Sequence, residues 1–89
     1  MIRYFGQRQK IFYVHFRNVR GRVPAYQEVF QDEGELDMVV AMRTLKEVGF
    51  RDWVVNDHIP WLADDTPWEH RSLAWQVGYI RGVLQAIGA

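Results

Sequence analysis

Six polar residues sit where an apolar pattern breaks off, and their types suit catalysis of a particular kind. His15 interrupts the apolar run of residues 11–17, IFYVHFR, and Arg17, Asn18 and Arg20 follow it. Asp57 and His58 close a second apolar run that begins at Trp53. An imidazole and a carboxylate brought to one point suit a divalent cation such as Mn²⁺, Fe²⁺ or Zn²⁺. A guanidinium can hold a substrate carboxylate with two parallel hydrogen bonds. Each residue also has a plainer reading. A strand histidine is often a satisfied core residue, an aspartate after a strand can cap a turn, and Arg17 and Arg20 can form a solvated rim.

The elements around these residues decide whether they meet. Residues 11–17 read as a strand, with Ile11, Tyr13, His15 and Arg17 on one face and Phe12, Val14 and Phe16 on the other. Both rows are largely apolar, which predicts a strand buried on two sides, as in a parallel sheet. Residues 53–56 read as a second short buried strand, and Pro60 stops further pairing. Between the strands, residues 18–35 read as a long polar connection with Gly21, Pro24 and Gly34. Asp37 is placed to cap a helix that runs to Val48, with Met38, Ala41, Met42, Leu45 and Val48 as its apolar stripe and Gly49 as its stop. A last helix is expected over 69–87, with Asp65 or Thr66 as cap and Leu73, Val77, Ile80, Leu84 and Ile87 as its stripe. Gly78 and Gly82 lie four apart in it and would allow another backbone to approach. Residues 1–8 read as the tail of an element before a turn at Gly6.

The order strand, helix, strand, helix predicts an α/β chain with parallel strands and right-handed crossovers. In parallel α/β sheets ligands bind at the carboxyl ends of the strands. His15 and Asp57 would then share one edge. Two strands do not cover a parallel sheet, so the pattern is that of one unit, residues 1–89, from something larger.

The totals bound the function. The chain has 89 residues and no net charge, which argues against generic nucleic-acid or anionic-membrane binding. There is no cysteine, hence no disulfide and no thiolate ligand. No apolar run is long enough for a bilayer and no signal-peptide pattern opens the chain, so the expected setting is cytoplasmic. At this length only a little over ~60% of the unfolded surface is buried, so the core is small. Trp53, Trp61, Trp68 and Trp75 are expected in core or interface packing. Asp32, Glu33 and Glu35 read as a solvated loop and His70 as a surface helix residue.

The segments KIFYVHFRNVRG, FQDEGELDMVVAMRTLKEVGF, NDHIPWL and VGYIRGVLQAI together resemble the C-terminal portion of the mannonate dehydratase family. The resemblance implies a C-terminal fragment of a (β/α)8 TIM barrel, xylose-isomerase-like, with about two parallel strands and two main helices. It implies conversion of D-mannonate to 2-keto-3-deoxy-D-gluconate with Mn²⁺ or Fe²⁺. By the same resemblance His15 and Asp57 are metal ligands, His58 is the catalytic acid/base, and Arg17 and Asn18 face the sugar-acid substrate. The sequence departs from the family at Gln31, where FHDEG is usual, at Val55-Asn56 before Asp57, and at Pro67-Trp68, where Gly-Tyr is usual. The family's other ligands, a histidine and a cysteine, come from earlier strands. The expectation is therefore a truncated chain, weakly active or inactive alone. Two alternatives stand beside it: a non-catalytic chain that associates with itself as a homo-oligomer, and a piece of a metal-dependent sugar isomerase-like barrel.

Overall fold

Period-two patterning brings residues 13–16 and 53–56 together. In the computed structural model, which describes residues 1–88, β1 (Tyr13–Phe16) pairs in parallel with β4 (Trp53–Asn56). The register sets Tyr13 against Trp53, Val14 against Val54, His15 against Val55 and Phe16 against Asn56. Helix α1 (Ile2–Gln7) precedes β1. An antiparallel hairpin, β2 (Asn18–Arg22) and β3 (Ala25–Val29), and helix α2 (Met38–Glu47) lie between the two parallel strands. Helix α3 (His70–Ala86) ends the described chain. The architecture is mixed α/β.

Both long helices contribute to one core. Phe16, Met38, Met42, Leu45, Ile80 and Val83 are buried together, and Val14 and Val54 pack against them. Alternation along each strand therefore directs Val14, Phe16 and Val54 toward the helices and Tyr13, His15 and Trp53 away from them. This corrects the expectation of two-sided burial: Tyr13 is 61% and Trp53 78% exposed. The helices cover one face, and no described element covers the other.

Helix α2 follows its sequence signals. Asp37 accepts from Val39 N and Val40 N at 3.1 and 3.0 Å, Met38, Met42 and Leu45 are buried, and Gly49 takes a φ of +80° past the end. Helix α3 differs from expectation in its rotation. Its buried positions are Ser72, Gln76, Ile80 and Val83, not the Leu73–Val77 side, and Val77 is 44% exposed. Two polar residues in the buried stripe hid that face from an apolar pattern. Gly78 and Gly82 face open space, with no atom within 4 Å of a Cβ built there. Of the tryptophans, Trp75 packs, edge-on to Phe30 at 4.9 Å and stacked on Tyr79 at 5.4 Å. Trp53, Trp61 and Trp68 are exposed. Burial, then the nearby charges of Asp32 and Asp37, push the Tyr79 phenol above its ordinary pKa.

Two further expectations are corrected. Residues 18–29 form a hairpin rather than an irregular connection; its faces are mostly wet, so no apolar alternation marks it. Gly6 lies inside α1 rather than at a turn. It is buried, and a Cβ there would overlap the side chain of Val48 after α2. No helix among the described residues is long and apolar enough to cross a membrane.

Asp65 and Thr66 both serve the start of α3. Asp65 accepts from Thr66 N and Arg71 N at 2.8 Å, from Ser72 N at 3.0 Å and from Ser72 Oγ at 2.6 Å. Thr66 Oγ1 accepts from His70 N at 3.1 Å. Burial opposes ionisation of Asp65, but the hydrogen bonds from Ser72, Arg71 and Thr66 outweigh it and hold the carboxyl well below its usual range. A depressed folded-state pKa contributes stability that is fully present above the unfolded value, about 3.9, and is lost as pH falls below it. Asp65→Asn is thus expected to lower the melting temperature at pH 7, with a deficit that shrinks on acidification below about pH 4. A deficit constant down to acid pH would show that the carboxylate charge plays no part.

Candidate functional site

The rim is assembled by two strand ends and one hairpin strand. His15 lies in β1 on the face turned away from the helices, and Asp57 follows β4 directly. Parallel pairing sets both at the carboxyl ends of their strands. His15 Nδ1 lies 3.4 Å from Asp57 Oδ2. His58 Nε2 lies 3.6 Å from the other oxygen, Oδ1. The Arg17 guanidinium reaches Asp57 Oδ2 at 3.8 Å through Nη1 and Glu28 Oε1 at 3.0 Å through Nη2. Asp57 is the hub: its side chain is 17% exposed, against 53% for His15 and 68% for His58.

Glu28 is the participant that the sequence reading missed. It lies on β3, and without the hairpin nothing in the sequence brings it near Arg17. Two carboxylates thus face one guanidinium here. An apolar groove of about 520 Å³ runs beside β1, lined in part by Phe12, Val14, Leu36 and Ala41, with His15 and Arg17 also in its wall.

Asn18 is positioned differently from its neighbour Arg17. It is 1% exposed. Its Nδ2 donates to the carbonyls of Gln31 and Leu36 at 2.8 Å each, and its Oδ1 accepts from Leu36 N at 3.3 Å. The amide thus ties the end of β1 to the loop that leads into α2. A Cβ at Gly34 would collide with this side chain, so the loop passes close over it. Gln31, at the position where the resembled family has histidine, is also 1% exposed and donates through Nε2 to the Phe16 carbonyl at 3.4 Å. Arg20 points elsewhere, donating to the Glu33 carbonyl at 2.9 Å.

As a donor set, an imidazole nitrogen and a carboxylate oxygen 3.4 Å apart fit two neighbouring ligands of one Mn²⁺-, Fe²⁺- or Zn²⁺-type ion. No group of three or more His, Cys, Asp or Glu side chains among the described residues is arranged to hold a metal.

A parallel strand pair with helices on one face and a polar cluster at its carboxyl edge defines an α/β protein of the kind that binds ligands at that edge. The chain belongs to the D-mannonate dehydratase (UxuA) family, whose model matches residues 1–89. No curated protein sequence matches it. The family assignment supports a mannonate dehydratase-like function, with a sugar acid as the kind of substrate.

Asn18→Ala removes buried hydrogen bonds and leaves the Gln31 and Leu36 carbonyls without their donor. A loss of about 1–3 kcal/mol is expected, read from urea denaturation. An unchanged midpoint would mean that the amide does not secure the loop.

Proposed function

We propose that the chain forms the carboxyl-terminal strands of a D-mannonate-dehydrating (β/α)8 barrel and carries part of its active site. The observation that supports this best is the approach of His15 to Asp57 at the ends of adjacent parallel strands, in a chain that the family model spans from end to end. In the reaction, a proton leaves the carbon beside a carboxylate, a hydroxyl departs from the next carbon, and the enol product becomes 2-keto-3-deoxy-D-gluconate.

Each rim residue has a part in that scheme. Arg17, braced by Glu28, receives the substrate carboxylate. Asn18 fixes the chain immediately after it. His58, the more exposed of the two imidazoles, moves the proton. His15 and Asp57 would hold Mn²⁺ or Fe²⁺, with the remaining ligands from other strands of the barrel. When bound, the ion supplies a positive charge that stabilises the enediolate and the departing hydroxyl.

Mn²⁺ binding by the wild type, His15→Ala and Asp57→Ala tests the ligand pair. Each substitution is expected to weaken binding by about tenfold or more, as loss of a directly coordinating group costs at least as much as loss of a supporting one. Equal binding in all three would remove the metal assignment.

The exposed Tyr13 and Trp53, beside a strand β1 whose only partner among the described residues is β4, favour a second property. Such an edge and face pair readily with further strands. Self-association is expected in size-exclusion chromatography, unchanged by Mn²⁺. A monomer at all concentrations would count against it.

A further inference from the structure

The carbonyl of Phe16 collects two side chains that the proposed chemistry does not use. Gln76 Nε2, from α3, donates to it at 3.1 Å, and Gln31 Nε2, from the loop after β3, donates at 3.4 Å. Gln76 is 0% and Gln31 1% exposed. The oxygen that receives both belongs to the peptide joining Phe16 to Arg17. The side chains on either side of Phe16 are those of His15 and Arg17, and both approach Asp57.

The arrangement is an expensive way to fill space. Gln31 Oε1 and Gln76 Oε1 are buried with no hydrogen-bond partner. An apolar side chain of similar size would pack α3 on β1 without leaving acceptors unpaired. What an amide adds is direction. Arg17 sits at the joint between β1 and β2, where the chain leaves one ladder before entering the next. There the backbone orientation is not set by strand pairing, and the two donors act on the peptide that enters the joint.

We propose that Gln76, assisted by Gln31, is a positioning residue of the rim, its amide holding the Phe16–Arg17 peptide so that His15 and Arg17 both reach Asp57. The significance of this for catalysis rests on the function proposed above; the geometry itself is independent of any metal. Helix α3 thereby reaches through the core to the polar edge, 60 residues along the chain.

The test uses the metal-free protein and side-chain NMR. Three-bond couplings report whether His15 and Arg17 hold one χ1 rotamer. The wild type is expected to show single-rotamer values at both residues. Gln76→Met keeps the volume, and its couplings at His15 and Arg17 are expected to collapse toward rotameric averages. Ile80→Val, a buried change one turn along the same helix with no bond to Phe16, is expected to leave them intact while lowering stability. Unchanged couplings in Gln76→Met, or equal averaging in Ile80→Val, would overturn the inference, as would averaged couplings in the wild type. Should Gln76→Met fail to fold, Gln31→Met removes only the longer bond and is read in the same way. A wild type that binds no Mn²⁺ but keeps single-rotamer couplings would end the metal reading and leave this one standing.

Discussion

The register of β1 on β4 is the constraint from which the rest follows. With Phe16 opposite Asn56, alternation sends Phe16 into the helices and His15 out of them, and Asp57 emerges one residue beyond the strand end. A slip of a single residue would exchange the two faces. The histidine would then enter the apolar core and Phe16 would be exposed. The register is held because Phe16, at 2% exposure, is buried in one core with Met42 and Leu45 of α2 and Ile80 and Val83 of α3. Hydrophobic packing on one side of the sheet thus determines the electrostatics on the other.

The polar cluster carries a second kind of dependence. Asp57 meets His15, His58 and Arg17, and Arg17 in turn meets Glu28. These groups come from β1, the end of β4 and the hairpin, so no single element brings them together. The half-buried position of Asp57 matters here, because water competes less for its oxygens than for those of a surface carboxylate. Membership of the D-mannonate dehydratase family gives this cluster a chemical context that its geometry alone does not supply.

Legibility in the sequence followed burial. Residues 53–56 and 38–47 were readable because each carries a strong apolar pattern and an unambiguous end signal, Pro60 in one case, Asp37 and Gly49 in the other. The convergence of His15 and Asp57 followed from parallel order. The hairpin was not readable: NVRGR and AYQEV are largely wet strands, and their pairing leaves no apolar row. Losing the hairpin also lost Glu28. The inward face of α3 was misjudged because Ser72 and Gln76 are buried polar residues, each placed by a specific hydrogen bond that no periodicity records. Asn18 was legible as a residue of consequence, but its partners, the carbonyls of Gln31 and Leu36, belong to a loop whose path the sequence does not reveal.

The hairpin joins the body at its base, where Asn18 and Val29 are buried, and extends to an exposed tip at Val23 and Pro24. Its two ends are therefore under different rules. The base carries the brace on Arg17, and Gly21, with a φ of +93° and Ala25 O close against its missing side chain, fixes the bend just short of the tip. Beyond that bend residues 22–25 are exposed. The outermost turn is thus where this family member can lengthen, shorten or accept a foreign peptide while the polar edge beneath it stays in place.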